Sequence, residues 1–374
     1  MKIALVCKNY AIERGGMERY TVLLGRQLLA AGHEVHVFAN TWQKEPGIIT
    51  HHVPVLRFPS SLKNFSFAWF AHRELSKVKL DVIHAMERLL YQDIYRVSVG
   101  ISPVQLIQRY PNRLIRWFKS IGIRRTSFTY LEKKIFEKNG CKHIMTNSNL
   151  VKNQVLKHYH VDQKKITVIH NGVDTSIFNP QVQETYRASV RKKYNITDNT
   201  SVIIFVAHDF KLKRLDTILK ALKLLDKNKY MLLVVGNGKK KNYVKWAVKN
   251  GLDERVLFLG PKKNMEQYYA AADIFVLPTL YDAFANVCVE AMACGLPVIT
   301  TQTNGFAELI KDGENGFVLE SQNPCELADK INAVSAELGK SMTVQNVSAA
   351  ALELTMSRHM CEVLQLYEKV ISPA

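Results

Sequence analysis

Two successive doubly wound α/β domains facing a cleft are the architecture this sequence predicts, and three observations predict it. Short apolar runs of strand length alternate with helical patterns along the chain. A polar bridge at Gln181–Thr200 interrupts the alternation, after which a fresh strand–helix series begins. At 374 residues and 47% apolar, with no low-complexity tract, the chain is long enough for two domains of ordinary size. The expected division is 1–180 and 181–356, with 357–374 a closing helix able to pack back on the N-terminal domain. Ligands of such sheets bind where strands end, so the cleft between the domains is the expected site.

The elements follow in order. Strand Lys2–Cys7, a loop ending in Gly15-Gly16, a helix over Met17–Ala31 stopped by Gly32, and strand Glu34–Ala39 make a βαβ unit. Apolar runs at Val53–Phe58, Val82–Ala85, Val97–Ile101 and His143–Thr146 extend the sheet. A helix over Asn147–Tyr159, a strand at Ile166–Ile169 and a turn-rich piece from His170 to Pro180 close the first half. In the second half the strands are expected at Ser201–Ala207, Met231–Val235, Val256–Leu259, Ile274–Leu277, Val298–Thr301 and Phe317–Leu319. The last helix runs over Arg358–Val370. Both halves therefore read as Rossmann-like.

Composition narrows the function. The first strand is too early and too short for the apolar region of a secretion signal, and no window approaches the roughly 18 apolar residues of a membrane span. The protein is expected in the cytoplasm. Six cysteines (Cys7, Cys141, Cys288, Cys294, Cys325, Cys361) show no metal-ligand spacing, which argues for reduced thiols rather than zinc or disulfides. The net charge of +18 calls for an anionic partner. From Arg109 to Lys142 there are ten Lys or Arg against two Glu, interleaved with Leu114, Ile115, Trp117, Phe118, Ile121 and Phe128. A basic face beside exposed aromatics suits an anionic membrane surface. The alternative is a solvated helical face whose apolar residues point into the core. Nucleic acid is not expected as a partner, because no recognition module for it is present.

The chemistry concentrates between Tyr281 and Pro297. Asp282 and Glu290 stand with seven residues between them, in the turn after the expected strand Ile274–Leu277 and inside a helix over Asn286–Ala293 closed by Gly295 and Pro297. The start of such a helix offers free N–H groups to phosphate. Carboxylates on either side accept sugar hydroxyls, so the pattern suits a nucleotide-sugar. Lys211 and Lys213 follow another strand and can neutralise a leaving diphosphate; surface lysine is the plainer alternative. Gly15 and Gly16 permit close backbone approach or merely shape a turn. Gly236, Gly238, Gly260 and Asn264 lie at further strand ends of the second half, where backbone groups can meet a nucleotide.

These motifs resemble those of the retaining GT-B glycosyltransferases carrying the E-x7-E signature (family 4, group 1). The likeness rests on Gly15-Gly16-Met17-Glu18-Arg19, His170-Asn171-Gly172-Val173-Asp174, Phe210-Lys211-Leu212-Lys213, Gly236-Asn237-Gly238 and Asp282 through Pro297. Asp93-Ile94-Tyr95-Arg96 and the basic segment make it most similar to the lipopolysaccharide core glucosyltransferases. The resemblance implies an acceptor-binding first domain and a second domain holding a nucleotide-sugar, with a UDP-sugar favoured. It implies that Glu290 holds the ribose and Asp282 faces the transferred sugar. Phe284, Ala285, Asn286 and Val287 would meet the diphosphate and sugar, Lys213 and Lys211 would stabilise the leaving phosphate, and Gly16 would close over the donor. No metal and no further cofactor are implied. The acceptor would be lipopolysaccharide core or another lipid-linked glycan at the inner face of the cytoplasmic membrane.

The chain departs from the family pattern in three places. Asp282 stands where Glu is usual, and Lys211 where Arg is usual, which loses a bidentate fork. Where the core transferases carry an Asp and, three residues later, a His, this chain has Val99 and Ser102. Glu87, His84 and Asp93 are the remaining candidates for that acid–base work. Two other functions are compatible with the same cleft: a nucleotide-sugar-binding protein with weak or lost catalysis, and an epimerase or phosphorylase on the same scaffold.

Overall fold

Buried parallel strands explain most of what the apolar runs foretold, and a computed structural model places them in two units. It describes residues 1–13, 15–56, 58, 62–110, 112–120 and 122–372, with backbone alone at 119, 120, 123 and 124. Ile121, one apolar residue of the basic segment, and Arg57, in the expected strand Val53–Phe58, lie outside the described residues.

The first unit comprises Met1–His170 with His359–Ala374. In chain order it holds β1 (Lys2–Val6), β2 (Asn9–Tyr10), α1 (Gly16–Ala30), β3 (Glu34–Ala39), β4 (Thr41–Trp42), β5 (Ile49–His52), α2 (Lys63–Leu75), β6 (Val82–Ala85) and β7 (Gln92–Val97). It continues through α3 (Ser102–Arg109), α4 (Arg113–Ser120), α5 (Ile123–Glu137), β8 (Cys141–Thr146), α6 (Asn149–His158) and β9 (Ile166–Val168). The main sheet is parallel in the order β5-β3-β1-β6-β7-β8-β9. Its reversal of direction falls between β1 and β6.

Two strands differ from the sequence reading. The third is Ile49–His52 rather than Val53–Phe58; it pairs with β3 from His36↔Ile49 to Ala39↔His52. As a sheet edge it tolerates polar residues, and His51 stacks on Phe38 with ring centroids 4.2 Å apart. The fifth is Gln92–Val97 rather than Val97–Ile101, and all six of its residues are buried. Its polar members meet distant partners. Gln92 Nε2 donates to Gly140 O at 2.6 Å, Asp93 accepts from Ile83 N at 2.8 Å, and the Arg96 guanidinium lies 3.6 Å from the centre of the Tyr20 ring. An apolar-run criterion passes over such a strand.

The second unit is Asn171–Arg358, so the boundary precedes the expected 180. Residues 171–180 belong to it because Val173 N donates to Leu354 O at 2.8 Å and Val173 and Phe178 enter its core. Its elements are α7 (Val182–Lys193), β10 (Ser201–Val206), α8 (Leu215–Leu224), β11 (Tyr230–Val235), α9 (Lys241–Lys249), β12 (Val256–Gly260), α10 (Met265–Ala271) and β13 (Ile274–Leu277). Then follow α11 (Asn286–Ala293), β14 (Val298–Thr301), β15 (Gly316–Leu319), α12 (Pro324–Glu337) and α13 (Val344–Leu352). The parallel order β12-β11-β10-β13-β14-β15 is that of a dinucleotide-binding sheet, with the switch point between β10 and β13. After β11 the chain turns at Gly236 with φ +130, where a Cβ would stand 1.8 Å from Ala207 O, so only glycine fits.

The last helix, α14 (Met356–Ile371), begins in the second unit and runs on into the first. Its stripe Met360, Val363, Leu366, Tyr367 and Val370 joins the core of Ile3, Leu5 and Val22. Polar contacts fix its register. His84 Nδ1 and the Tyr367 hydroxyl are 2.7 Å apart. His359 Nδ1 donates to His170 O at 2.7 Å, and Tyr20 O–H donates to His359 Nε2 at 2.9 Å.

Candidate functional site

The switch point of the second unit is built from two loops, one leaving β10 and one leaving β13. They are joined where Leu280 N donates to Leu212 O at 2.9 Å. Asp209 Oδ1 accepts from the N–H groups of Lys211 and Leu212, each at 3.0 Å, and so forms the turn that presents the lysines. Lys211 is exposed. Lys213 folds inward, donating to Asp282 Oδ2 at 2.5 Å and to Tyr281 O at 3.2 Å. The side chains of this pair are 16% and 25% exposed, so the two charges are substantially withdrawn from water.

Asp282 does more than pair with Lys213. Its N–H donates to Thr303 O, its carbonyl accepts from Gly305 N, and Oδ1 accepts from Phe284 N at 3.1 Å. Asn304 continues the brace, its Oδ1 accepting from Ala285 N and Phe306 N at 3.2 Å each. The loop thus delivers the chain to α11 with Ala285 in the N-cap position, where no side chain caps the helix. Amide groups of a first turn without a cap are donors aimed at an incoming anion, reinforced by the helix dipole. Asn286 is held through its Oδ1, which accepts from Asn171 Nδ2 at 2.7 Å. Val287 is half-buried beside it.

Glu290 lies one turn further along and is also half-buried. Its Oε2 accepts from the Tyr269 hydroxyl at 3.1 Å, which fixes the carboxylate's orientation. Burial, then Glu290, pushes that phenol well above its ordinary range, so it remains a donor. At the neighbouring strand ends Gly236 N donates to Gly260 O at 3.0 Å, and a Cβ at Gly238 would press 2.4 Å from the Phe210 ring. Asn237 Oδ1 lies 2.9 Å from His208 Nδ1, and Asn264 is the N-cap of α10. Thus the structure brings Asp282, Lys213 and residues 284–287 together directly. Lys211, Glu290, the glycines and Asn264 occupy the same carboxyl edge of the sheet.

Asn304, Thr303 and Tyr269 were not singled out from the sequence, and Asn171 entered only as part of the motif His170–Asp174, without its contact to Asn286. The signal for Asn304 was present in the polar run after Val298–Thr301, at the same sheet edge as the other motifs. Nothing local marks Tyr269, whose aromatic ring lies in the core.

In the first unit the reversal point between β1 and β6 carries Lys8, which donates to Glu87 Oε2 at 2.7 Å and Asn64 Oδ1 at 2.8 Å. Gly15 has extended backbone (φ 169) and a Cβ at Gly16 would meet nothing within 4 Å. Neither glycine is required by its own fold geometry, and the space beside Gly16 is open. Among the three candidates for acid–base work, His84 is fully buried and burial, then Arg96 and His359, holds its pKa down to about 3. Asp93 is committed to Ile83 N and to Lys142 Nζ at 2.9 Å. Glu87 alone of the three stands at the reversal point between β1 and β6, paired with Lys8. Val99 is 46% exposed but Ser102 is 2% exposed, so a histidine at 102 would be forced into a packed interior.

Two parallel doubly wound sheets of this kind are the fold of the GT-B glycosyltransferases. The crystal structure of WaaG, a glycosyltransferase involved in lipopolysaccharide biosynthesis, matches over 100% of both chains with a TM-score of 0.82 at 21% identity. Anabaena HepE in complex with UDP and glucose matches over 98% of this chain and 99% of that one, with a TM-score of 0.75 at 19% identity. In sequence, the uncharacterized glycosyltransferase MJ1607 of Methanocaldococcus jannaschii is 25% identical over 364 residues, 91% of this chain and 90% of that protein. The lipopolysaccharide glucosyltransferase WaaG of Escherichia coli is 23% identical over 359 residues, 94% of this chain and 92% of that protein. The pattern described as "Glycosyl transferases group 1" covers residues 187–344, and "Glycosyltransferase Family 4" covers residues 14–177. The chain belongs to the group 1 glycosyltransferases, with a family 4 N-terminal half.

Proposed function

We propose that the protein moves a hexose from a UDP-sugar, with retention and without a metal, onto lipopolysaccharide core or another lipid-linked glycan. The observation that carries this reading is the Lys213–Asp282 pair beside the uncapped start of α11, at the switch point of a dinucleotide-binding sheet. The diphosphate sits on the N–H groups of residues 286 and 287, which open α11. Lys213 and Lys211 meet the charge that grows on the leaving phosphate, and the helix dipole adds about 0.3–2 kcal/mol. Glu290, steadied by Tyr269, accepts the ribose hydroxyls. Asp282 accepts hydroxyls of the transferred sugar. A same-face transfer lets the departing phosphate act as base, which suits a chain with Val99 and Ser102 where the core transferases carry Asp and His.

The membrane reading rests on α4 and its flanks. Leu114, Ile115, Trp117 and Phe118 are 72%, 49%, 58% and 69% exposed rather than turned into the core, beside Arg109, Arg113 and Arg116. Such a surface fits the inner face of an anionic cytoplasmic membrane. Among the described residues no helix is long and apolar enough to cross one. HepE, crystallised with UDP and glucose, and WaaG, named a lipopolysaccharide glucosyltransferase, support the choice of donor and acceptor.

A thermal-shift screen against UDP-, GDP- and ADP-sugars tests the donor, with the UDP-sugar expected to give the largest stabilisation at matched concentration. Proton NMR of the product should show the donor's anomeric configuration, and transfer should survive a chelator. The pairing of Val99 with a buried Ser102 favours one second reading, a donor-binding protein without turnover. Tight donor binding with no transfer, hydrolysis or epimer would establish it.

A further inference from the structure

Glu132 is the unexpected residue of the basic segment, a carboxylate with no solvent exposure in a stretch dominated by cations. It gathers donors from three other segments, the β6–β7 connection, the start of α3 and the residue after α6. Oε1 accepts from Arg88 Nε at 2.8 Å and from Ser102 N at 2.9 Å, and Oε2 accepts from the Tyr159 hydroxyl. Arg88 in turn donates to Gly100 O at 3.3 Å and lies 4.9 Å from the centre of the Phe128 ring. Both Phe128 and Glu132 belong to α5, which also carries part of the basic segment. Together, Arg88 and Glu132 clamp two points of the short connection from β7 into α3. One is the carbonyl of Gly100, at φ +77, and the other is the N–H that opens α3. This connection leaves the carboxyl edge of the first sheet, where open α/β sheets receive ligands. A buried ion pair adds little net stability, since desolvation offsets attraction, whereas its geometry is tightly defined.

We propose that Glu132 is a positioning residue that couples the basic segment to the β7–α3 connection, so that seating α4 and α5 on an anionic membrane resets the loop at Val99–Ser102. The inference deepens the proposed function and rests on its membrane reading. The clamp moves as one body because each of its members is buried and held by a charge-assisted bond.

Hydrogen exchange on the full chain tests it, alone and with phosphatidylcholine vesicles containing one third phosphatidylglycerol. Two variants are compared. Glu132→Gln removes the charge. Ser102→Pro removes the N–H, and with it the hydroxyl of this buried residue, at a first helical position preceded by Ile101 at φ −98 and ψ 157, which a following proline accepts. It leaves the Arg88, Glu132 and Tyr159 contacts in place and carries the test should Glu132→Gln fail to fold. Without lipid, both variants should exchange the amides of 98–101 about ten-fold faster than the parent chain, and unchanged exchange there overturns the clamp. With vesicles, the parent should show a change of about ten-fold at 98–107, which both variants lose while binding vesicles equally well. Vesicle binding by the parent with no change at 98–107 overturns the coupling, as does a change that Ser102→Pro retains. A parent chain that does not bind the vesicles overturns the membrane reading and the coupling with it, and the lipid-free comparison then still judges the clamp.

Discussion

Replacing Lys213 with methionine should separate phosphate binding from nucleoside binding. Methionine keeps an unbranched stem of similar reach and removes only the charge. In the structure Nζ stands 2.5 Å from Asp282, with side-chain exposures of 16% and 25%. The stability loss from breaking this partly hydrated pair is discounted to roughly 1 kcal/mol, well within what a folded domain tolerates. The diphosphate loses one charge-assisted hydrogen bond, worth about 1.5–3 kcal/mol, which corresponds to roughly 10- to 150-fold in affinity. Isothermal titration with UDP and with uridine reads both quantities, since uridine carries no phosphate for Lys213 to hold. UDP should weaken by that factor and uridine should be unaffected. Equal weakening of both ligands, or unchanged UDP affinity, would refute the placement of the phosphate beside Lys213.

Three further outcomes are expected. Glu290→Ala should weaken UDP and uridine alike, by about 1.5–3 kcal/mol, because the ribose is common to both; a loss confined to UDP would contradict the ribose assignment. Substituting Arg109, Arg113 and Arg116 with serine should reduce binding to anionic vesicles by about 3 kcal/mol at low salt, and sedimentation that is unchanged and insensitive to salt would count against the membrane surface. His84 should make the protein acid-sensitive. Its pKa falls from 6.5 to about 3 on burial, so the folded state binds fewer protons, and the contribution present above pH 6.5 is lost as the pH drops toward 3. By pH 5 the loss is about 2 kcal/mol. Denaturant unfolding at pH 7 and pH 5 should show this difference in the parent chain and a smaller one in His84→Gln; identical pH dependence would dismiss the residue as its source.

The second unit was nearly transparent to a reading of its sequence. Strands such as Ile204 and Phe205 in β10 or Phe275 and Val276 in β13 are covered on both faces, so they appear as uninterrupted apolar runs. Asp282, Lys213 and residues 284–287 were legible one by one, because glycines, lysines and carboxylates collect at the ends of such runs. Their direct pairing was not, since hydrogen bonding between residues 213 and 282 depends on how two loops meet. β7 was missed for the same reason. Gln92, Asp93 and Arg96 look like surface residues until Gly140, Ile83 and Tyr20 are brought beside them. The Arg88–Glu132 pair, 44 positions apart, left no local trace in a segment whose net positive charge pointed only outward. The expected strand Val53–Phe58 failed differently, because an edge strand with two histidines breaks the apolar pattern that marks interior ones.

The most direct measurement is a crystal structure of the protein with UDP. Its phosphate oxygens should lie within hydrogen-bond distance of the N–H groups that open α11, with Lys213 turned toward them and a Glu290 carboxylate oxygen on the ribose. UDP bound at another edge of the sheet, or with its ribose beyond the reach of Glu290, would contradict the account.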